Sequence, residues 1–395
     1  MTGARGGTPR PGSCWTGTWA TATERSGDAD MPKATLSNHA VRQTVHVSLG
    51  GSILRLQLSN TFCQEPVDIK SVYIADAVEG SDIAAATARY LTFSGRKAVT
   101  IEGGKTVVSD GVKYQLRPLQ RLSITINYGA RTPKNATGHR GSRTTTYIMQ
   151  GESKPKAAFP VAEAVERWYN IDAIDVQATA TIPDGLPPGC IAVLGNSITD
   201  GRGSTTDAQN RWTDILAEQL EGKVGVLNLG IGGNCVLQGG LGEPAVDRFD
   251  RDILGQRGVT TLVVFEGVND IGGSKSVEKT SRQLIRAYQK FIAKAHERGI
   301  RVWLGTITPI GNSGYWSYFH EACRQTVNEW IRSAASGGSA AEAPAADGVI
   351  DFDQLVRDPR KPAQMRPDWQ FDWLHPNAEG YKNMGMEAAE KLRKH

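Results

Sequence analysis

Four short segments in the second half of this 395-residue chain carry side chains suited to acyl transfer. They are Gly195-Asn196-Ser197-Ile198-Thr199-Asp200-Gly201, Asn228-Leu229-Gly230-Ile231-Gly232-Gly233-Asn234, Gly267-Val268-Asn269-Asp270 and Asp372-Trp373-Leu374-His375-Pro376. A serine hydroxyl is a weak nucleophile until a base takes its proton. His375 is a suitable base, because an ordinary imidazole titrates near ~6.5. Asp372, three residues earlier in a turn, can bond the second ring nitrogen and hold the tautomer. A tetrahedral oxyanion needs donors, and the N–H groups of Ser197 and Gly233 with the Asn269 amide would supply three. Each piece alone has a plainer reading: Ser197 or Asn269 as a cap, Gly232-Gly233 as a turn, Asp372 as a solvated acid. It is the set that points to chemistry.

Such residues must be held by elements that end at one place. After Pro187-Pro188 the pattern alternates strand and helix. Strands are expected at Cys190–Leu194, Val224–Leu229, Thr260–Phe265, Arg301–Gly305 and Gly348–Phe352. Helices are expected at Arg211–Leu220, Ala245–Leu254, Ser276–Arg298, Tyr318–Ala334 and Ala378–Lys394. That grammar predicts a parallel sheet between helices, with ligands bound beyond the carboxyl ends of the strands. Three of the four segments follow such strand ends, and the loop before the last helix can reach the same edge.

From about Trp15 to Gln150 the period is two instead, with many short strands and no helix. Val45, Val47 and Leu49 alternate, Gly50-Gly51 follows, and Leu54, Leu56 and Leu58 alternate again, which predicts a β-hairpin. An all-β sandwich or jelly roll is the expected architecture. The predicted boundaries are a flexible N-terminus at 1–14, a sandwich at 15–150, a connecting segment at 151–188 and an α/β domain at 189–395. Ser336–Ala346 reads as a low-complexity surface loop.

Composition excludes several classes. With 39% apolar and 22% charged residues the chain can build cores, so it is not a disordered protein. Lys and Arg total 45 against 41 Asp and Glu, a net +4 with no basic run, which leaves no nucleic-acid footprint. The longest apolar runs, such as Leu262-Val263-Val264-Phe265, fall far short of the ~20 residues that span a membrane. Met1 to Gly12 show no apolar signal-peptide core, so both a secreted or periplasmic chain lacking its leader and a cytoplasmic one fit. The five cysteines are widely spaced without C-x-x-C, which argues against zinc, and no metal or cofactor is expected. Oligomeric state is not legible.

The four segments in this order resemble the SGNH hydrolases, the GDSL-type serine esterases and lipases. The resemblance covers roughly residues 189–394. It implies a three-layer α/β/α sandwich with a five-stranded parallel sheet. It also implies Ser197 as nucleophile, Gly233 and Asn269 as oxyanion donors, and Asp372 with His375 as the remaining pair. The usual Gly-Asp-Ser is Gly195-Asn196-Ser197 here, which removes a charge beside the nucleophile and bears on the pH profile. The longer run to Ser204-Thr205, with Arg211-Trp212 and Trp15-Thr16-Gly17-Thr18-Trp19, resembles a bacterial two-domain subgroup of secreted esterases. Some of these act on acetylated polysaccharides.

The expected activity is therefore ester hydrolysis through an acyl-enzyme, with a carbohydrate O-acetylester, small or polymeric, as substrate. Tyr315 and Trp316 are candidate sugar-stacking residues and Asn196 a candidate contact. A lipase, lysophospholipase or thioesterase is the alternative within the same chemistry, and a non-catalytic glycan-binding protein lies outside it. Nucleotide binding is disfavoured, since the loop has neither G-x-G-x-x-G nor a Walker lysine. His139 has two readings, a place at the domain interface near the site and, the plainer one, an exposed loop histidine; Asp351 and Asp353 read as structural caps.

Overall fold

The computed structural model describes residues 15–178, 186–335 and 345–394. The expected flexible N-terminus and most of the 336–346 loop lie outside them.

The N-terminal half is built from antiparallel strands: β1 (Trp15–Ala20), β2 (His39–His46), β3 (Gly51–Ser59), β4 (Val67–Asp76), β5 (Thr106–Val108), β6 (Val112–Leu116), β7 (Arg121–Tyr128), β8 (Thr146–Gln150) and β9 (Ile171–Ala178). One sheet runs β1-β9-β3-β5, with β6 also on β3. The other runs β8-β2-β7-β4. Alternation puts Leu122, Ile124 and Ile126 of β7 on one face, where they meet Leu54, Leu56 and Leu58 of β3 in a common core.

Two expectations fail here. The predicted hairpin does not form, because β2 and β3 lie in different sheets and Gly50-Gly51 is a corner between them. Neither glycine needs positive φ. What excludes a side chain is space: a Cβ on Gly50 would sit 2.7 Å from Pro118 Cδ, and one on Gly51 2.7 Å from Gln177 O. Secondly, residues 151–178 are not merely a connection, since β9 sits between β1 and β3. Its register shifts between Ile171 and Ala173, and that bulge breaks the period-two pattern that would reveal the strand.

The C-terminal half alternates as predicted. Strands β10 (Cys190–Gly195), β11 (Gly225–Gly230), β12 (Val259–Phe265), β13 (Arg301–Gly305) and β14 (Gly348–Ile350) form a parallel sheet in the order β11-β10-β12-β13-β14. Between and after them come α1 (Trp212–Gln219), α2 (Ala245–Phe249, continuing into a π turn), α3 (Val277–His296), α4 (Tyr318–Ala334) and α5 (Ala378–Arg393). Ala192 and Leu194 face one apolar core with α3 and α4, while Ile191 and Val193 face another with α1 and α5. The chain leaves β10 toward β11 and then crosses to β12, so the carboxyl ends of these three strands flank the topological switch point.

The sandwich covers the outer edge of this sheet at β11. Val226 N donates to Ser48 Oγ at 2.8 Å, and Gly17 N donates to Arg257 O at 2.9 Å. An exposed edge strand is a pairing hazard, and this one is capped by the protein itself.

Candidate active site

Gly195 ends β10, and the chain turns through Asn196 into a helical turn at Ser197–Asp200. A Cβ on Gly195 would lie 2.2 Å from Thr199 Oγ1, so the tight turn requires glycine there. Asn196 Oδ1 accepts from Ile198 N at 3.0 Å and its Nδ2 donates to Glu266 Oε1 at 3.1 Å. The side chain counted above as a candidate contact is thus buried, with both ends of its amide engaged inside the protein.

Ser197 Oγ lies 2.7 Å from His375 Nε2. Asp372 and His375 occupy the turn before α5, and Asn377 caps that helix by accepting from Gly380 N. The aspartate carboxylate accepts from Leu374 N and His375 N at 3.2 and 2.9 Å, and both its oxygens lie 2.9 Å from His375 Nδ1. The three-residue spacing is therefore an Asx-type turn, with Trp373 at φ 65° inside it. Burial holds the His375 pKa below the ordinary histidine value, and Asp372 offsets only part of that. Burial pushes Asp372 up, but the hydrogen bonds and charge of His375 outweigh it and the carboxyl stays below its usual range.

The loop after β11 brings Gly233 to the same edge, in left-handed conformation at φ 73°. Its N–H donates to no other described residue. Asn269 follows β12 in a short helix, Val268–Gly272. Its Nδ2 donates to Asn234 O at 2.7 Å, and its Oδ1 accepts from Tyr315 OH at 2.8 Å. Tyr315 thus orients Asn269 and is half-buried. Trp316 packs against Tyr318 and is not among the residues lining the cleft.

Ser197, Gly233, Asn269 and His375 line one cleft of about 450 Å³. The sandwich contributes Arg140, Gly141, Arg143 and Arg167 to its wall. A second, larger cleft of about 690 Å³ adjoins it at Gly233, Asn269 and Tyr315.

Two features escaped the sequence reading, and a third follows the less favoured of its two readings. His139 lies at the interface of the two halves and not in an exposed loop: it is buried, with Nδ1 2.9 Å from Ala22 O and Nε2 2.8 Å from Asp200 Oδ1. Asp200 also accepts from Arg143 NH2 at 2.6 Å, so the helical turn bearing Ser197 is gripped by the sandwich. Arg248 is fully buried and donates to Gly195 O, Leu229 O and Asn234 Oδ1, joining the ends of β10 and β11. The available signal was its place beside Ala245 and Phe249 on the buried face of α2. Glu266 is the second missed residue. Burial pushes its pKa up to about 8, Arg248 opposes this, and its Oε2 has no hydrogen-bond partner among the described residues. Asp351 and Asp353 are structural as expected, the first capping a short helix and the second paired with Arg324.

Among the described residues no cluster of His, Cys, Asp or Glu could hold a metal, and no helix is long and apolar enough to cross a membrane. Cys63, Cys190, Cys235 and Cys323 are buried and unpaired in disulfides.

Residues 193–382 match the GDSL-like Lipase/Acylhydrolase family. No curated protein matches the chain significantly. Among solved structures it is similar to a GDSL-like lipase from Bacteroides thetaiotaomicron, at 20% identity and a TM-score of 0.38 over 52% of this chain and 87% of that one. It is similar to a member of the lipolytic protein G-D-S-L family from Veillonella parvula, at 21% identity and 0.36 over 51% and 96%. An acetyl xylan esterase is similar at 21% identity and 0.38 over 51% and 98%. Through residues 193–382 the chain belongs to the GDSL-like lipase/acylhydrolase family, the SGNH hydrolases, and it is a carboxylic ester hydrolase.

Proposed function

We propose that the protein is a serine esterase working through an acyl-enzyme, and that its substrates are O-acetylated carbohydrates. The observation that carries the catalytic assignment is the 2.7 Å contact from Ser197 Oγ to His375 Nε2, with Asp372 behind the ring. Ser197 Oγ attacks the ester carbonyl carbon while His375 Nε2 takes its proton. Asp372 accepts from Nδ1–H and stabilises the imidazolium that forms. The oxyanion receives hydrogen bonds from the Ser197 and Gly233 N–H groups and the Asn269 amide, which are worth more in a water-poor site than in solution. Ser197 N–H is free for this, because the first N–H of a helical turn has no partner inside the turn. His375 then gives its proton to the departing alcohol oxygen. Water, deprotonated by the same ring, attacks the acyl-enzyme; the acid departs and Ser197 regains its proton. A depressed His375 pKa favours the neutral base near neutrality.

The acetyl preference is supported by the clefts themselves. A long acyl chain gains ~0.8 kcal/mol per buried CH₂ and needs an apolar groove. Leu241 and Leu374 are the aliphatic side chains of the first cleft, and the second is lined largely by glycine, serine, glutamine and lysine. Kinetics on p-nitrophenyl acetate and octanoate, beside acetate release from acetylated oligosaccharides, test both parts. The short ester is expected to be turned over faster, and Ser197→Ala to lose ~10³-fold or more in kcat. A preference for octanoate returns the lipase reading, and an active Ser197→Ala protein removes the nucleophile.

A further inference from the structure

The wall that the sandwich adds to the cleft is cationic. Arg140, Arg143 and Arg167 come from it, Arg202 comes from the loop after Ser197, and Asp200 is the one carboxylate among the lining residues. Most nearby acids are engaged: Glu24 with Arg140, Asp200 with His139 and Arg143, Asp372 with His375, while the exposed Glu166 accepts from Thr206 Oγ1. Asp30 lies 3.4 Å from Arg167.

Some guanidinium donors are not used inside the protein. Arg167 NH1 donates to Arg140 O and Glu166 O, while its NH2 donates to no described residue. Arg143 uses NH2 on Asp200, its buried Nε faces the interior, and its NH1 donates to no described residue. Arg202 is 54% exposed at its side chain, and its contact is a loose 3.7 Å approach to Asp372. An arginine fork matches a carboxylate through paired N–H bonds, and a ligand that buries such donors must meet them. On the other side of Asn269 and Tyr315, the second cleft carries Lys275 and Lys279, both exposed and in no ion pair among the described residues; its one carboxylate, Asp270, accepts from Val236 N and Leu237 N. Lysine and arginine side chains therefore outnumber carboxylates on both sides of Ser197, although the whole chain carries only +4.

We propose that the ester is borne on a chain of acidic sugars. A carboxylate beside the scissile ester binds Arg143, Arg167 and Arg202, and the chain runs on over Tyr315 toward Lys275 and Lys279. This rests on the esterase reading above and narrows its substrate class.

The test compares acetate release by the full-length protein from O-acetylated oligogalacturonate and from O-acetylated xylo-oligosaccharide. The acidic substrate is expected to show at least about tenfold higher kcat/KM, and Arg167→Gln and Arg202→Gln each to cut that ratio about fivefold, the upper scale of a solvent-exposed ion pair. A second measurement needs no variant: unacetylated oligogalacturonate should inhibit turnover of p-nitrophenyl acetate by the parent protein, and NaCl should weaken the inhibition. Equal kcat/KM on the two substrates, a ratio unmoved by either substitution, or equal inhibition by neutral xylo-oligosaccharide overturns the acidic-sugar assignment while leaving the esterase standing. No turnover of p-nitrophenyl acetate at all removes the esterase reading and this inference with it.

Discussion

At the scale of single residues, the substitution of Asn196 for the more usual aspartate finds its explanation in Glu266. The amide donates to Glu266 Oε1, and that carboxyl is buried with Oε2 unmatched. Burial pushes the Glu266 pKa from an ordinary 4.5 up to about 8. Between those values the unfolded chain releases a proton that the folded chain keeps, so this group's contribution to stability falls as pH rises through that window. Glu266→Gln removes the titration and retains an acceptor for Asn196 and Gly267. Its melting temperature relative to the parent should therefore climb between pH 5 and 8, measured by thermal unfolding at several pH values. A constant difference would mean that Glu266 titrates normally. The serine, histidine and aspartate were legible because their spacing is local chemistry: a strand end, an Asx turn and a helix cap. Glu266 was not, because an acid beside a glycine looks solvated until the fold buries it.

Among the elements, β10, β11 and β12 deliver their residues to one edge because a parallel sheet with this order opens there. Their strand runs were readable as near-continuous apolar stretches, as expected for strands buried on both faces. The tie between their ends was not readable. Arg248 reaches Gly195 O at 3.1 Å, Leu229 O at 2.8 Å and Asn234 Oδ1 at 3.1 Å, and it also meets Asp252. Arg248→Met keeps the apolar stem and strands those acceptors, which should cost about 3–5 kcal/mol in denaturant unfolding. A loss well under ~1 kcal/mol would show that the acceptors find other donors. The sandwich strands were visible one at a time, yet their partners were not, because strand pairing is decided by contacts distant in sequence. The corner at Gly50-Gly51 and the bulge that hides β9 are the two places where local period and final pairing part company.

For the molecule as a whole, the two halves share their polar interior. His46 meets Asp214 at 3.0 Å, and His139 and Arg143 close on Asp200. Produced without residues 15–178, the C-terminal half would expose the β11 edge, Asp200 and Asp214 together. We expect that fragment to aggregate on size-exclusion chromatography and to regain solubility and turnover when the sandwich is co-expressed. A monomeric fragment with full activity on p-nitrophenyl acetate would count against the dependence. His139 illustrates why this was only half legible: its flanking glycines favour an exposed loop over the interface, and its burial is supplied by an aspartate 61 positions away.

Gly141 carries that dependence into heredity. A Cβ there would lie 2.1 Å from both carboxylate oxygens of Asp200, so position 141 can take a side chain only once position 200 has changed or moved. Gly141 cannot drift first. Along a lineage, changes at 139, 141 and 143 should arrive together with changes at 200, and a relative that has shed the sandwich has lost the contacts that hold an aspartate in that place.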